Sequence, residues 1–267
     1  MEIFSNTSIY YDTFIIFLKS LEISDLSHPI FVGVEFSPVD FAGILYNSEQ
    51  MTRQIKLEQV TNKINNNKNI KEIWDYSKVN IEILNSKGIT NIKYVPLVSP
   101  DSYVNKLREF RNIVDYDVGF SGGLSQRRLN ILHKLRECGK RVNIVEKFGE
   151  ERDRELARCK ILINIHYADD YMIFESARCE PWIKAGFTVI SEKSLDDDPR
   201  CINVDYDSLV EKVLDTLDTQ ELQELQELQD IQELQDIQEL QDTQELQDTQ
   251  ELQDIQDIQD IQDIQDT

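Results

Sequence analysis

Asp115-Tyr-Asp-Val-Gly-Phe-Ser-Gly-Gly-Leu-Ser-Gln-Arg-Arg128 opens the part of the chain that decides its fold: a short apolar strand, a glycine turn, and a helix beginning after Ser125. The pattern then recurs. Ile161-Leu-Ile-Asn-Ile-His166 is a further apolar strand, Phe174-Glu-Ser-Ala-Arg178 belongs to a polar helix, and Ala185-Gly-Phe-Thr-Val-Ile-Ser-Glu192 leads into another strand. Read continuously, the alternation predicts strands over 115–120, 141–146, 160–165 and 187–191, with a last short one from Cys201 to Val204. Helices are expected over 126–138, 150–158, 172–185 and 206–217, and Leu129, Leu132 and Leu135 place an apolar face on the first of them. Such alternation builds parallel βαβ units, whose ligands sit beyond the carboxyl ends of the strands.

Upstream, apolar runs at Pro29 to Phe36, Gly43 to Tyr46, Glu72 to Tyr76 and Asn91 to Leu97 alternate with helical stretches over 12–21, 50–64 and 78–85. Pro96 and Pro100 bracket a loop that reads as a crossing between domains. The stretch from Ser8 to Leu21 leaves open whether residues 1–30 supply a full first βα unit.

Downstream, from Thr216 to Thr267, the chain is a triplet repeat of an apolar residue or Thr, then Gln, then Glu or Asp. A period of three slips about 60° per triplet on a helix, so the Leu and Ile residues spiral and make no lasting stripe, which argues against a coiled coil. The tail is expected as a solvated single helix or as disordered chain, either a simple expansion or an acidic interaction segment. The fold class that emerges is α/β, with two Rossmann-like domains built on parallel sheets, over 1–112 and 113–217, and a low-complexity acidic tail over 218–267.

The formal charge of −22 belongs to that tail: 18 of the 50 acids lie between Asp215 and Asp266, leaving 32 acids against 28 basic residues, a net of −4, for the rest. A body of mixed charge without a basic run gives no reason to expect nucleic-acid binding. No apolar run is long enough to span a membrane, and the N-terminus lacks the pattern of a signal peptide, so a cytoplasmic protein is expected. Cys138, Cys159, Cys179 and Cys201 form no Cys-x-x-Cys pair and read as reduced core residues rather than metal ligands.

Three blocks, taken in order, resemble the sugar-nucleotide-dependent glycosyltransferases of the GT-B fold, in a bacterial and viral branch with a shortened first domain. The first is Tyr46-Asn-Ser-Glu-Gln50 with Trp74-Asp-Tyr-Ser77 and Asn80; the second is Asp115 to Arg128; the third is Asn164-Ile-His166, Glu175 with Arg178, and Gly186 to Glu192. The resemblance spans residues 30–192 and implies a nucleoside-diphosphate sugar as donor, no bound cofactor or metal, and an acceptor that is a carbohydrate, a protein or a lipid.

The residues agree with that implication. Gly122 and Gly123 let backbone approach a phosphate, the helix starting near Ser125 offers free N–H groups, and Arg127 or Arg128 can neutralise charge. Glu175 and Arg178 stand three apart on one helix face, the acid suited to hydroxyls and the arginine to diphosphate. Lys147 follows the second strand and can reach a phosphate, and His166 ends the third, as a donor ligand or a structural group. Glu49, after an apolar strand, is the candidate catalytic base, or else a helix-cap carboxylate. The chain departs from the two-glutamate pattern of better-known members, since Ile183 stands eight positions after Glu175.

Rival readings remain. Glu146 stands where an NAD-linked oxidoreductase holds ribose, yet Gly119-Phe-Ser-Gly-Gly123 does not match the dinucleotide glycine pattern. The Asp115-Tyr-Asp117 triplet suggests a metal-dependent GT-A enzyme but precedes its strand. A non-catalytic relative, binding a nucleotide or acting through its tail, is the third.

Overall fold

A computed structural model describes residues 3–4, 12–21, 28–33, 37–38 and 40–265. The first sheet runs β1 (Ile3–Phe4), β2 (Ile30–Val32), β3 (Gly43–Asn47), β4 (Ile70–Asp75) and β5 (Ile92–Tyr94), all parallel and in sequential order. Helices α1 (Asp12–Ser20), α2 (Gln54–Asn66) and α3 (Lys78–Ser86) cover it. Strand alternation sorts the side chains onto two faces. Phe31, Leu45 and Ile73 pack with Leu57 and Val60 of α2 and Leu84 of α3. Val32, Tyr46 and Trp74 point the other way, onto Phe14, Phe17 and Leu18 of α1. Residues 3–4 and 12–20 thus supply a strand and a helix at the start, whereas Ser8 and the 34–36 end of the apolar run that begins at Pro29 lie outside the described residues.

The second sheet contains β6 (Tyr116–Ser121), β7 (Val142–Val145), β8 (Cys159–Asn164), β9 (Thr188–Glu192) and β10 (Ile202–Val204), again all parallel, in the order β10-β9-β8-β6-β7. Its helices are α5 (Gln126–Glu137), α6 (Gly149–Leu156) and α7 (Ser176–Lys184). Ser125 starts α5 by accepting a hydrogen bond from the Arg128 N–H at 3.3 Å, and Gly139, at φ +80°, reverses the chain after it. Ile131, Leu132 and Leu135 form the buried face of α5, which keeps the expected stripe but takes Ile131 in place of Leu129. Each such side chain, once buried, contributes about 1.5–3 kcal/mol.

Cys138 departs from its expected core placement, and the Pro96–Pro100 loop makes the expected crossing from the first sheet to the second. The Pro96–Pro100 loop leads at once into α4 (Asp101–Glu109), whose Val104 and Leu107 join Phe110, Leu162, Trp182 and Phe187 in the core of the second sheet. Both sheets lie within one compact unit, Met1–Leu214, the second unit being Asp215–Thr267, and α4 packs on the second sheet although it precedes residue 112. Cys138 lies exposed at the end of α5, while Cys159, Cys179 and Cys201 are buried, and all are free thiols.

After a 3-10 turn at Tyr206–Ser208, α8 runs from Leu209 to Gln265. Between Leu222 and Leu240 the repeat's Leu and Ile side chains are exposed, as the slip of a three-residue period on a helix requires. Among the described residues, no helix is long and apolar enough to cross a membrane.

Candidate functional site

In the second sheet β6 lies between β7 and β8, so the chain leaves β6 toward one edge and returns past it to build the other. Such a reversal opens a crevice at the carboxyl ends of the two central strands. Ser121, Gly122 and Gly123 turn there from β6 into α5. Gly122 has φ +148°, and a Cβ on it would stand 2.7 Å from Arg178 Nη2 and 3.3 Å from Arg128 Nη1. Only glycine lets the two guanidinium groups approach the turn this closely.

Those guanidinium groups share one carboxylate. Arg128 Nη2 donates to Glu175 Oε1 at 3.1 Å, and Arg178 Nη1 lies 2.5 Å from Glu175 Oε2. Arg128 is buried; its Nε donates to the Ile165 carbonyl at 2.7 Å and its Nη1 to the Gly123 carbonyl at 2.8 Å. Burial, and then the neighbouring Arg178 charge, push the Arg128 pKa down to about 10. Arg178 also donates to Asn164 Oδ1 at 3.2 Å. With both arginines and Glu175 ionised, the group keeps one surplus positive charge, and of the two cations Arg178, with a quarter of its side chain exposed, is the one that reaches the open space.

That space is a cleft of about 540 Å³ between the strand ends of the two sheets. The first sheet supplies the opposite wall through Ser48, Glu49, Gln50 and Arg53 after β3, and Tyr76 after β4. A buried network fixes this wall. Asp75, fully buried at the end of β4, accepts from Asn47 Nδ2 at 2.6 Å, the Ser77 N–H at 2.8 Å and Asn80 Nδ2 at 3.1 Å. Asn80 Nδ2 also donates to the Glu49 carbonyl at 2.9 Å, and its Oδ1 accepts from the Met51 N–H at 2.8 Å, so the loop carrying Glu49 is held from below. Burial pushes the Asp75 carboxyl up to about 7 against the pull of these hydrogen bonds.

The segment between β8 and α7 ties the walls together. The Ile173 N–H donates to Gln50 Oε1 at 3.0 Å, Thr52 Oγ1 to the Asp170 carbonyl at 2.8 Å, and the Phe174 N–H to Asp196 Oδ1 at 2.8 Å, while Ser77 Oγ donates to the other oxygen of Asp196. These bonds hold residues 170–175 out of helix, so α7 begins at Ser176 rather than 172, with Glu175 at its threshold.

Of the residues singled out in the sequence, Gly122, Gly123, Glu175, Arg178, Lys147 and Glu49 line the cleft together. Ser125 caps α5, and Arg128 lies beneath the lining as a support. Lys147 is half exposed and pairs with Glu155 at 3.3 Å; Glu49 pairs with Lys56 at 3.3 Å. His166 is absent from the lining: buried, it sits 3.0 Å from Ser194 Oγ through Nε2, its N–H donates to Glu192 Oε2 at 2.9 Å, and burial lowers its pKa. Arg127 turns elsewhere, pairing with Glu192 and Asp169 and stacking 3.8 Å above the Tyr206 ring. Sequence reasoning passed over Arg53, Phe148, Arg152, Tyr171 and Trp182 as cleft residues. Phe148 and Arg152 carried a usable signal, since both follow the end of β7 closely. Among the described residues no group of three or more His, Cys, Asp or Glu is placed to hold a metal ion.

No family model matches the chain, and no solved structure matches it. Uncharacterized proteins of Acanthamoeba polyphaga mimivirus are similar to it. One is 38% identical over 161 residues, covering 58% of this chain and 21% of the relative. Another is 33% identical over 187 residues, 66% of this chain and 58% of the relative, and a third is 32% identical over 181 residues, 64% and 20%. The chain therefore spans between 20% and 58% of the length of these three relatives.

Proposed function

We propose that the chain is a glycosyltransferase that binds a nucleoside-diphosphate sugar in the cleft, with the diphosphate against Gly122 and Arg178 and an acceptor hydroxyl entering from the Glu49 wall. The observation that carries this reading is the surplus positive charge of Arg128, Glu175 and Arg178 set against a glycine turn at the reversal point of a parallel sheet. A diphosphate there meets backbone without a Cβ, the start of α5 and a guanidinium with donors toward the cleft. Glu175, engaged by both arginines, acts as an orienting group. In the transfer the bond between the anomeric carbon and the diphosphate oxygen breaks, and its electron pair leaves with the diphosphate. The charge that develops falls beside Arg178, where a preorganised donor is worth more than in water. The acceptor oxygen forms the new bond and gives up its proton to a base, for which Glu49 is the carboxylate on the facing wall.

The ion pair between Glu49 and Lys56 favours a second reading, in which the cleft binds the nucleotide sugar without transferring it. The full-length protein should be heated with UDP, GDP and CMP, their sugar conjugates, and NAD, since a native-state ligand raises the melting temperature, by about 2.7 kcal/mol of stability at one hundred times its Kd. The proposal expects a shift with one nucleoside diphosphate and its sugar, followed by release or transfer of that sugar. Binding without any turnover selects the second reading. A shift with NAD alone, or with nothing, rejects both.

A further inference from the structure

We infer that Arg53 holds an anionic group of the acceptor, a phosphate monoester or a carboxylate, on the first-sheet wall of the cleft; this rests on the glycosyltransferase reading above. Arg53 stands immediately before α2, at the end of the same loop after β3 that carries Glu49, and both residues line the cleft. Its guanidinium is fixed from two sides. Cζ lies 4.2 Å from the centre of the Tyr171 ring, and Nε donates to Asp170 Oδ2 at 3.4 Å. The backbone beneath it is held as well: the Arg53 N–H donates to the Gln50 carbonyl at 3.3 Å, and Thr52 Oγ1 to the Asp170 carbonyl at 2.8 Å. Among the described residues neither Nη of Arg53 makes a hydrogen bond, so the side chain keeps its paired donors while its face is covered and its Nε edge is taken.

A planar guanidinium stacked on a ring presents that fork to a carboxylate or a phosphate in bidentate fashion. Asp170 does not fill the role: it touches only Nε, and more than half of its side chain is exposed, a setting in which an ion pair adds little stability. Two other cations of the lining are occupied, Lys147 by Glu155 and Arg152 by Asp153, and Arg178 is assigned to the diphosphate on the opposite wall. On the Arg53 wall Lys56 covers the Glu49 carboxylate, so an arriving anion meets no uncompensated negative charge from it. An acceptor anchored by its anionic end at Arg53 lies along the wall that carries Glu49 and turns its hydroxyl to a donor held on the other. A neutral acceptor leaves the Arg53 fork unused.

The test is a calorimetric titration of the full-length protein, saturated with the nucleoside diphosphate that gives the largest thermal shift and kept at constant ionic strength, with inorganic phosphate and with acetate. The nucleotide-loaded wild type is expected to bind at least one of these anions saturably. Arg53→Gln should bind it about tenfold more weakly, the scale of one hydrogen bond to a charged group, while its affinity for the nucleotide stays within about twofold of wild type. The anion bound better tells an acceptor that carries phosphate from one that carries carboxylate. Equal anion affinity in the variant, or no saturable binding of either anion by the loaded wild type, overturns the assignment and leaves the nucleotide reading standing. A loss of nucleotide affinity in folded Arg53→Gln moves Arg53 to the donor and overturns the assignment too. If no nucleoside diphosphate binds at all, the glycosyltransferase reading falls and the assignment with it.

Discussion

A side chain at Gly122 would meet the Arg178 guanidinium at 2.7 Å, so the turn after β6 and the arginine of α7 are built to occupy neighbouring space across the crevice. The φ of +148° at this glycine adds a second reason against any other residue. Gly122→Ala is expected to cost about 1–3 kcal/mol of stability through backbone strain and displacement of Arg178. It should also weaken nucleotide binding in whatever fraction remains folded; urea unfolding and titration read the two effects separately.

Glu175 is expected to be structural before it is functional. Glu175→Gln leaves the buried Arg128 beside Arg178 with no carboxylate between them, and breaking a pair in this setting costs about 3 kcal/mol. Chemical denaturation should show a loss of that order, and a loss below about 0.5 kcal/mol, as for ordinary surface changes, would contradict the charge-sharing role.

Much of the fold was legible beforehand because it rests on local periodicity: most boundaries of β6 through β9 and of α5 fall within a residue or two of the apolar pattern. What was not legible depends on distant contacts. Arg127 and Arg128 are adjacent, yet one turns outward to Glu192 and Asp169 and the other inward to Ile165, Gly123 and Glu175, a choice fixed by which face of α5 meets the sheet. Asn47, Asp75 and Asn80 stood out as a motif, but that they hold the Glu49 loop follows only from the pairing of β3 with β4. The late start of α7 depends on Gln50 and Asp196, both far from it in sequence. Helix α4, Asp101–Glu109, escaped because it is short and mostly polar, with only Val104 and Leu107 turned to the core.

Asp75 predicts a pH dependence. Its folded pKa, near 7, lies above the ordinary carboxylate value of about 3.9, so between these pH values the folded protein holds a proton that the unfolded chain has released. Its contribution to stability is complete below about pH 4 and is lost as pH rises through 7. Asp75→Asn should flatten this part of the profile, measured by urea unfolding at pH 5 and pH 8; an unchanged difference between the two would assign the pH dependence to other groups.

His166 sits apart from the cleft lining, between Ser194 and Glu192. His166→Ala is expected to lower the melting temperature while nucleotide affinity in the folded protein stays within twofold of wild type, and a selective loss of affinity would return it to the binding site.

Arg178 is the residue proposed to meet a diphosphate in the cleft. The direct measurement is calorimetric titration of wild type and Arg178→Ala with the nucleoside diphosphate that gives the largest thermal shift. Binding is expected to weaken by about 1.5–3 kcal/mol, the range for a hydrogen bond to a charged group, in a variant whose circular dichroism matches wild type. Equal affinity in the folded variant would place the diphosphate elsewhere and remove Arg178 from the donor site.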